Sequence, residues 1–263
     1  MPGKYGHFCW YELMTTDTAA AERFYRDVVG WNAQPQDGDY TLFTAGELPV
    51  AGLMRLPPEA AGAPPAWLGY VSVENADTAA AAIAAAGGAV HRPPADIPGV
   101  GRFAVVADPQ GAVFEIMQPD PYMDPPEVPF GTPGHIGWNE LNAADGPTAL
   151  PFYARQFGWT EAEFPAMGDA PLGGDQPEPQ FYQLFSTVGE GGMSGGIGTK
   201  PAEAPVPHWV FYFNVDDIDA ATARVRDGGG QVLMGPMEVP GGGWIINALD
   251  PQGALFALTG PRL

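Results

Sequence analysis

Residues 7–14 alternate between two faces. Phe8, Trp10, Glu12 and Met14 fall on one and Cys9, Tyr11 and Leu13 on the other, the period of a strand. Asp17 follows, a residue whose carboxylate can accept from the free amides of a first helical turn. Gly30 is a natural stop, so a helix is predicted over 18–29. Strands are predicted at 31–34, 40–45 and 50–56, followed by a loop rich in Ala and Pro at 57–65. The plan then restarts with strand 67–74, helix 77–86 ended by Gly87-Gly88, and strands 89–92, 103–107 and 112–118. The last two are joined by Asp108-Pro109-Gln110-Gly111, with Gly where a tight turn often needs positive φ.

The second half repeats the first. Gly6-His7-Phe8-Cys9-Trp10-Tyr11-Glu12-Leu13 returns as Gly134-His135-Ile136-Gly137-Trp138-Asn139-Glu140-Leu141, 128 positions on, and Asp17, Phe24-Tyr25 and Gly30-Trp31 return at the same offset. From Tyr40/Tyr182 onward the offset is 142, through Trp67/Trp209, Tyr70/Tyr212 and the second Asp250-Pro251-Gln252-Gly253 turn. The extra 14 residues fall in the Pro- and Gly-rich run 165–179, a rim or lid insertion, or a plain surface loop. A fainter echo, Asp17-Thr18-Ala19-Ala20-Ala21 and Asp77-Thr78-Ala79-Ala80-Ala81, makes each half two modules of strand, helix and further strands. Domain one is expected over 1–118 (modules 1–58 and 66–118) and a Pro-rich linker over 119–134. Domain two is expected over 135–263 (modules 135–200 and 206–263), with a glycine-rich segment at 189–198 replacing much of a loop and strand. Whether the first module pairs with the second or with the fourth is left open by the pattern.

Charge narrows the partners. A net −20, with Lys4 and Lys200 the only lysines, repels phosphate backbones and anionic lipid, so nucleic acid and membrane are not expected partners. The N-terminus lacks a charged region followed by an apolar stretch, and no long apolar run occurs. A cytoplasmic protein, monomer or homodimer, is expected. The single cysteine, Cys9, excludes an internal disulfide and reads as a small core residue. Neither a Ser-His-Asp order, a phosphate-cradling glycine loop nor a Cys-based zinc spacing is present.

Four βαβββ modules, a Phe-Tyr in the first helix and an Asp-Pro-Gln-Gly turn before the last strand resemble the vicinal oxygen chelate superfamily. That superfamily includes glyoxalase I, bleomycin-binding resistance proteins, fosfomycin resistance enzymes and extradiol dioxygenases. The resemblance covers nearly the whole chain. It implies an α+β fold of two tandem glyoxalase-like domains, each a cupped mixed sheet with helices on its convex side and a ligand on its concave side, often with a divalent metal. One family ligand stands on a module's first strand, seven residues before the helix-capping Asp. Those positions here are Trp10, Tyr70, Trp138 and Tyr212. Another is a Glu seven residues after the turn Asp, matched by Glu115 and lost at Ala257. Indole offers no lone pair to a metal, so no cofactor is expected, although the resemblance keeps a divalent metal open.

Under that resemblance the ligand-binding residues are Phe8, Trp10, Glu12, Tyr70 and Glu115 in domain one, and Ile136, Trp138, Glu140, His208 and Tyr212 in domain two. Aromatic walls with few polar groups suit a neutral or cationic, partly aromatic small molecule. Two functions compete with a third. The chain sequesters a drug or serves natural-product chemistry as a metal-free binder. Alternatively it is a lyase, isomerase or oxygenase-like enzyme using Glu115 and Glu12, or His208. In the third reading the cups are simply filled cores. His7 and His135 read as structural strand-entry residues.

Overall fold

The computed structural model describes residues 4–36, 38–122, 128–163, 181–187 and 192–263. The 165–179 insertion lies wholly outside them, as do the middle of the linker and the start of the glycine-rich segment.

The described residues form two eight-stranded sheets. The first contains β1 (Phe8–Thr15), β2 (Asn32–Pro35), β3 (Tyr40–Ala45), β4 (Leu48–Arg55), β5 (Ala66–Ser72), β6 (Ala89–Ile97), β7 (Gly101–Ala107) and β8 (Val113–Pro119), in the order β2-β3-β4-β1-β5-β8-β7-β6. The second contains β9 (Ile136–Ala143), β10 (Thr160–Ala162), β11 (Tyr182–Ser186), β12 (Gly195–Thr199), β13 (His208–Asn214), β14 (Gln231–Glu238), β15 (Trp244–Leu249) and β16 (Leu255–Gly260), in the matching order β10-β11-β12-β9-β13-β16-β15-β14. The first strands of adjacent modules pair antiparallel, β1 with β5 and β9 with β13, so modules one and two share a sheet and three and four share the other. β12 corrects the expectation for the glycine-rich segment: its glycines form a strand running parallel to β9.

Helices α1 (Thr18–Val29), α2 (Ala76–Ala85), α3 (Gly146–Phe157) and α4 (Ile218–Asp227) complete the modules. Asp17 caps α1 through Ala20 N at 3.0 Å, and Gly30 ends it at φ 86°. Modules two and four differ from expectation by two residues. Asn75 caps α2 and Asp217 caps α4, while Asp77 and Asp219 stand in the first turns and pair with Arg102 and Arg262. An earlier side chain reaches the free amides first, so the later aspartate is released to an arginine. No helix among the described residues is long and apolar enough to cross a membrane.

The two convex faces pack against each other. A continuous core runs from Leu13, Tyr25, Trp31 and Trp67 of one half to Tyr153, Trp159, Phe211 and Phe256 of the other. Reciprocal hydrogen bonds lock the halves. Tyr25 Oη donates to Asp250 Oδ2 at 3.2 Å and Tyr153 Oη to Asp108 Oδ2 at 2.9 Å. Trp31 Nε1 donates to Gly134 O at 2.6 Å, and Trp159 Nε1 to Gly6 O at 2.5 Å. Each turn aspartate also ties its own turn, its Oδ1 accepting at 2.9 Å from two backbone amides, those of Gln110 and Ala112 or of Gln252 and Ala254. The repeated Asp-Pro-Gln-Gly turn is therefore half of an interdomain clasp, and the repeated Phe-Tyr of the first helix supplies the other half.

Candidate functional site

The concave face of the first sheet is built around the β1–β5 pair, in which Trp10 stands opposite Tyr70. Tyr70 in turn stands opposite Glu115 on the parallel neighbour β8. Tyr70 Oη donates to Glu12 Oε1 at 3.0 Å, and Trp10 Nε1 donates to the Tyr40 oxygen at 3.1 Å. The Tyr40 hydroxyl hydrogen-bonds Glu12 in its turn, so an indole, two phenols and a carboxylate make one chain. Gly52 lies beside Glu12 across the β1–β4 pair, and a Cβ there would overlap the Tyr40 hydroxyl. Phe103, Met117, Cys9 and Val105 fill in around Tyr70 and Trp10.

Glu12 and Glu115 are 5% and 0% exposed. Burial raises the pKa of Glu12, opposed by its bonds from Tyr40 and Tyr70. Burial and then the Glu12 charge push Glu115 up to about 8, with Tyr70 and Arg92 opposing. Tyr70 lies near enough to favour ionised Glu115, but its hydroxyl geometry serves Glu12. Among the described residues neither Glu115 oxygen has a hydrogen-bond partner. A buried carboxyl group without partners is costly, which sets Glu115 apart from a core residue.

The second sheet repeats this chain. Trp138 stands opposite Tyr212, Trp138 Nε1 donates to the Tyr182 oxygen at 3.1 Å, and Tyr182 Oη donates to Glu140 Oε2 at 3.0 Å. Gly196 lies opposite Glu140 as Gly52 lies opposite Glu12, and a Cβ there would overlap the Tyr182 hydroxyl. Glu140 keeps some exposed surface, yet crowding by neighbouring side chains still raises its pKa through desolvation, with Tyr182, Tyr212 and Asn142 opposing. The far strands diverge. Ala257 stands beside Tyr212 where Glu115 stands beside Tyr70. Asn247 replaces Val105 and Met234 replaces Arg92, each at the same register. The Asn247 Oδ1 is buried and, among the described residues, unpartnered.

Of the residues expected from sequence, Trp10, Glu12, Tyr70 and Glu115 come together, as do Trp138, Glu140 and Tyr212. Phe8 does not join them. The β1–β5 register shifts between Phe8 and Trp10, which turns Phe8 to the convex side, against Tyr11, Trp159, Trp209 and Phe211. The same irregularity puts Cys9 on the concave side, where burial pushes its thiol up to about 12. Ile136 is likewise packed against the central core, next to the matching shift in β13. His208 opens β13 opposite Asn142 with Nδ1 3.0 Å from the Val206 carbonyl, while Val210 stands opposite Glu140. Tyr40 and Tyr182 were visible as a repeat pair. Their role was not, because it depends on a glycine in a neighbouring strand.

The donor set does not fit a metal. Trp10, Tyr70, Trp138 and Tyr212 stand where first-strand ligands were expected, and the described residues contain no group of three or more His, Cys, Asp or Glu able to hold an ion.

Comparison with known proteins agrees with this architecture. The profile of the Glyoxalase/Bleomycin resistance protein/Dioxygenase superfamily matches residues 4–116 and 132–258. The chain is 32% identical over 259 residues to "Putative glyoxylase CFP32" of Mycobacterium tuberculosis, covering 96% of this chain and 94% of that one. It is 32% identical over 266 residues to "Anthracycline biosynthesis protein DauV" of a Streptomyces species, covering 95% and 91%. A Mn(II)-bound glyoxalase from Novosphingobium aromaticivorans superposes with a TM-score of 0.67 at 17% identity, covering 99% of this chain and 84% of the other. Homoprotocatechuate 2,3-dioxygenase from Brevibacterium fuscum superposes at 0.63 with 14% identity, covering 100% and 82%. By profile and by relatives, this chain belongs to the Glyoxalase/Bleomycin resistance protein/Dioxygenase superfamily.

Proposed function

We propose that the protein binds a small, partly aromatic, neutral or cationic molecule in its cups without a metal, in drug sequestration or as an accessory to natural-product chemistry. The observation that carries this reading is the replacement of first-strand metal donors by Trp10 and Trp138, each hydrogen-bonded through a tyrosine to a buried or crowded glutamate. Indole and phenol walls bury flat apolar surface, while the carboxylate orients polar substituents. The anthracycline-biosynthesis name of a relative supports a polycyclic aromatic ligand. Titration of the protein with a panel of aromatic compounds, followed by tryptophan fluorescence and by chromatography for products, tests it. Saturable quenching without turnover is expected. A flat response across the panel would remove the reading.

One observation favours an enzyme instead. Glu115, unpartnered and pushed up to about 8, is tuned to exchange a proton near neutral pH. Glu12 holds its phenol partners beside it. On that reading Glu115→Gln abolishes turnover of any substrate the panel reveals, and unchanged turnover sinks the assigned role.

A further inference from the structure

We infer that the cup of domain one, and not that of domain two, takes the protonated amine of a small aromatic ligand, with Glu115 and Glu12 as its carboxylate partners. This rests on the small-molecule reading above and adds the ligand's charge. Three observations meet here. Both Glu115 oxygens are buried and, among the described residues, accept no well-formed hydrogen bond, the neighbouring Tyr70 hydroxyl donating to Glu12 instead, so the cup holds acceptors open to a ligand donor. A second carboxylate, Glu12, is close enough to oppose Glu115 ionisation. The walls are Trp10, Tyr40, Tyr70 and Phe103, whose faces attract cations.

The groups facing Glu115 from each neighbouring strand are Glu12 on β1, Tyr40 on β3, Tyr70 on β5 and Arg92 on β6. Arg92 is the only cation of this set. Its guanidinium lies 4.8 Å over the Phe103 ring, and no ion pair joins it to Glu115 among the described residues. Arg92 is exposed and Trp10 and Tyr40 partly so, which puts them on the solvent side of the buried carboxyl group. An ammonium group, with donors and no acceptor, matches two carboxylates flanked by phenols and takes over the place of Arg92 as counter-charge. Domain two lacks both members of the charged set at the same register, with Met234 for Arg92 and Ala257 for Glu115.

The test is calorimetric titration of the full chain with tryptamine and with tryptophol, its neutral alcohol counterpart. Tryptamine is expected to bind roughly tenfold or more tightly, the worth of one charge-assisted hydrogen bond. Its affinity should rise as pH climbs through about 8, where Glu115 ionises, until the amine itself loses its proton near ~10. Glu115→Gln should bring the two affinities together, and Arg92→Met should strengthen tryptamine severalfold by removing the competing cation. Equal binding of both probes to the unaltered protein overturns the inference and leaves the small-molecule reading standing. So does a preference that survives Glu115→Gln, or an affinity that falls with pH. Failure of both probes to bind overturns the inference, while the small-molecule reading falls only with a flat response across the aromatic panel. Should Glu115→Gln fail to fold, an unchanged tryptamine affinity in Arg92→Met overturns the inference.

Discussion

Trp10, Tyr40, Glu12 and Tyr70 in one cup and Trp138, Tyr182, Glu140 and Tyr212 in the other are joined in the same pattern, the tryptophan-to-tyrosine bond being 3.1 Å in both. On the far strands, Arg92, Val105 and Glu115 face Met234, Asn247 and Ala257 at matching register. The copies keep what builds the cup and differ in what a ligand would meet at its floor. The interdomain clasp is also kept, with Tyr25–Asp250 mirrored by Tyr153–Asp108. Within the cups, divergence is therefore concentrated on the far strands, which neither the indole–phenol–carboxylate frame nor the pairing of domains requires, as expected where one half has been tuned to a different ligand from the other.

The sharpest way to separate the cups is pH. The folded-state pKa of Glu115 is raised above its ordinary value, so the folded chain holds a proton that the unfolded chain releases. Stability from this group is present below the unfolded carboxyl pKa and lost as pH rises toward about 8. Glu115→Gln removes that loss. Chemical denaturation should find the variant gaining on the parent between pH 5 and pH 8 by on the order of 3 kcal/mol. A flat difference across that range would mean that Glu115 is paired in solution and that the cups are electrostatically alike.

The shared frame has its own probe. Gly52→Ala and Gly196→Ala each place a methyl group where a tyrosine hydroxyl now sits. Each should cost about 2 kcal/mol, the loss of two hydrogen bonds per cup. Equal costs would confirm that the two chains of indole, phenol and carboxylate are equivalent. A cost in one cup alone would move the comparison from the floor to the frame.

Much of this was legible in the chain. The fixed offsets exposed the modules, and strand alternation with helix stops gave most elements. Counting back from Asp77 and Asp219 reached Tyr70 and Tyr212, which do stand opposite Trp10 and Trp138, although Asn75 and Asp217 cap those helices. Two kinds of information were missing. Alternation assumes an unbroken period, and the irregularity at Cys9 moved Phe8 to the other face. Pairwise geometry across strands is also invisible to a linear pattern. The Tyr40 hydroxyl over Gly52, the strand made by Gly195, Gly196 and Gly198, and the Tyr153–Asp108 bond all depend on neighbours distant in sequence.

The smallest effect concerns the floor of the second cup. Asn247 carries a buried Oδ1 without a partner among the described residues, while its counterpart Val105 carries no polar atom. The Asn247 side chain also hydrogen-bonds Tyr212, which keeps part of it satisfied. Asn247→Val removes an unpaired acceptor at similar volume and gives up that one bond. The two changes nearly offset, so the net shift in unfolding free energy should lie within about 1 kcal/mol, toward greater stability. An unpaired acceptor on the cup floor is a place for a ligand donor to bind. Asn247→Val should therefore weaken any hydroxyl-bearing ligand of domain two while leaving domain one's affinities untouched. A variant clearly less stable than the parent would show instead that Asn247 serves the fold, and the contrast between the two floors would then narrow to Glu115 and Arg92.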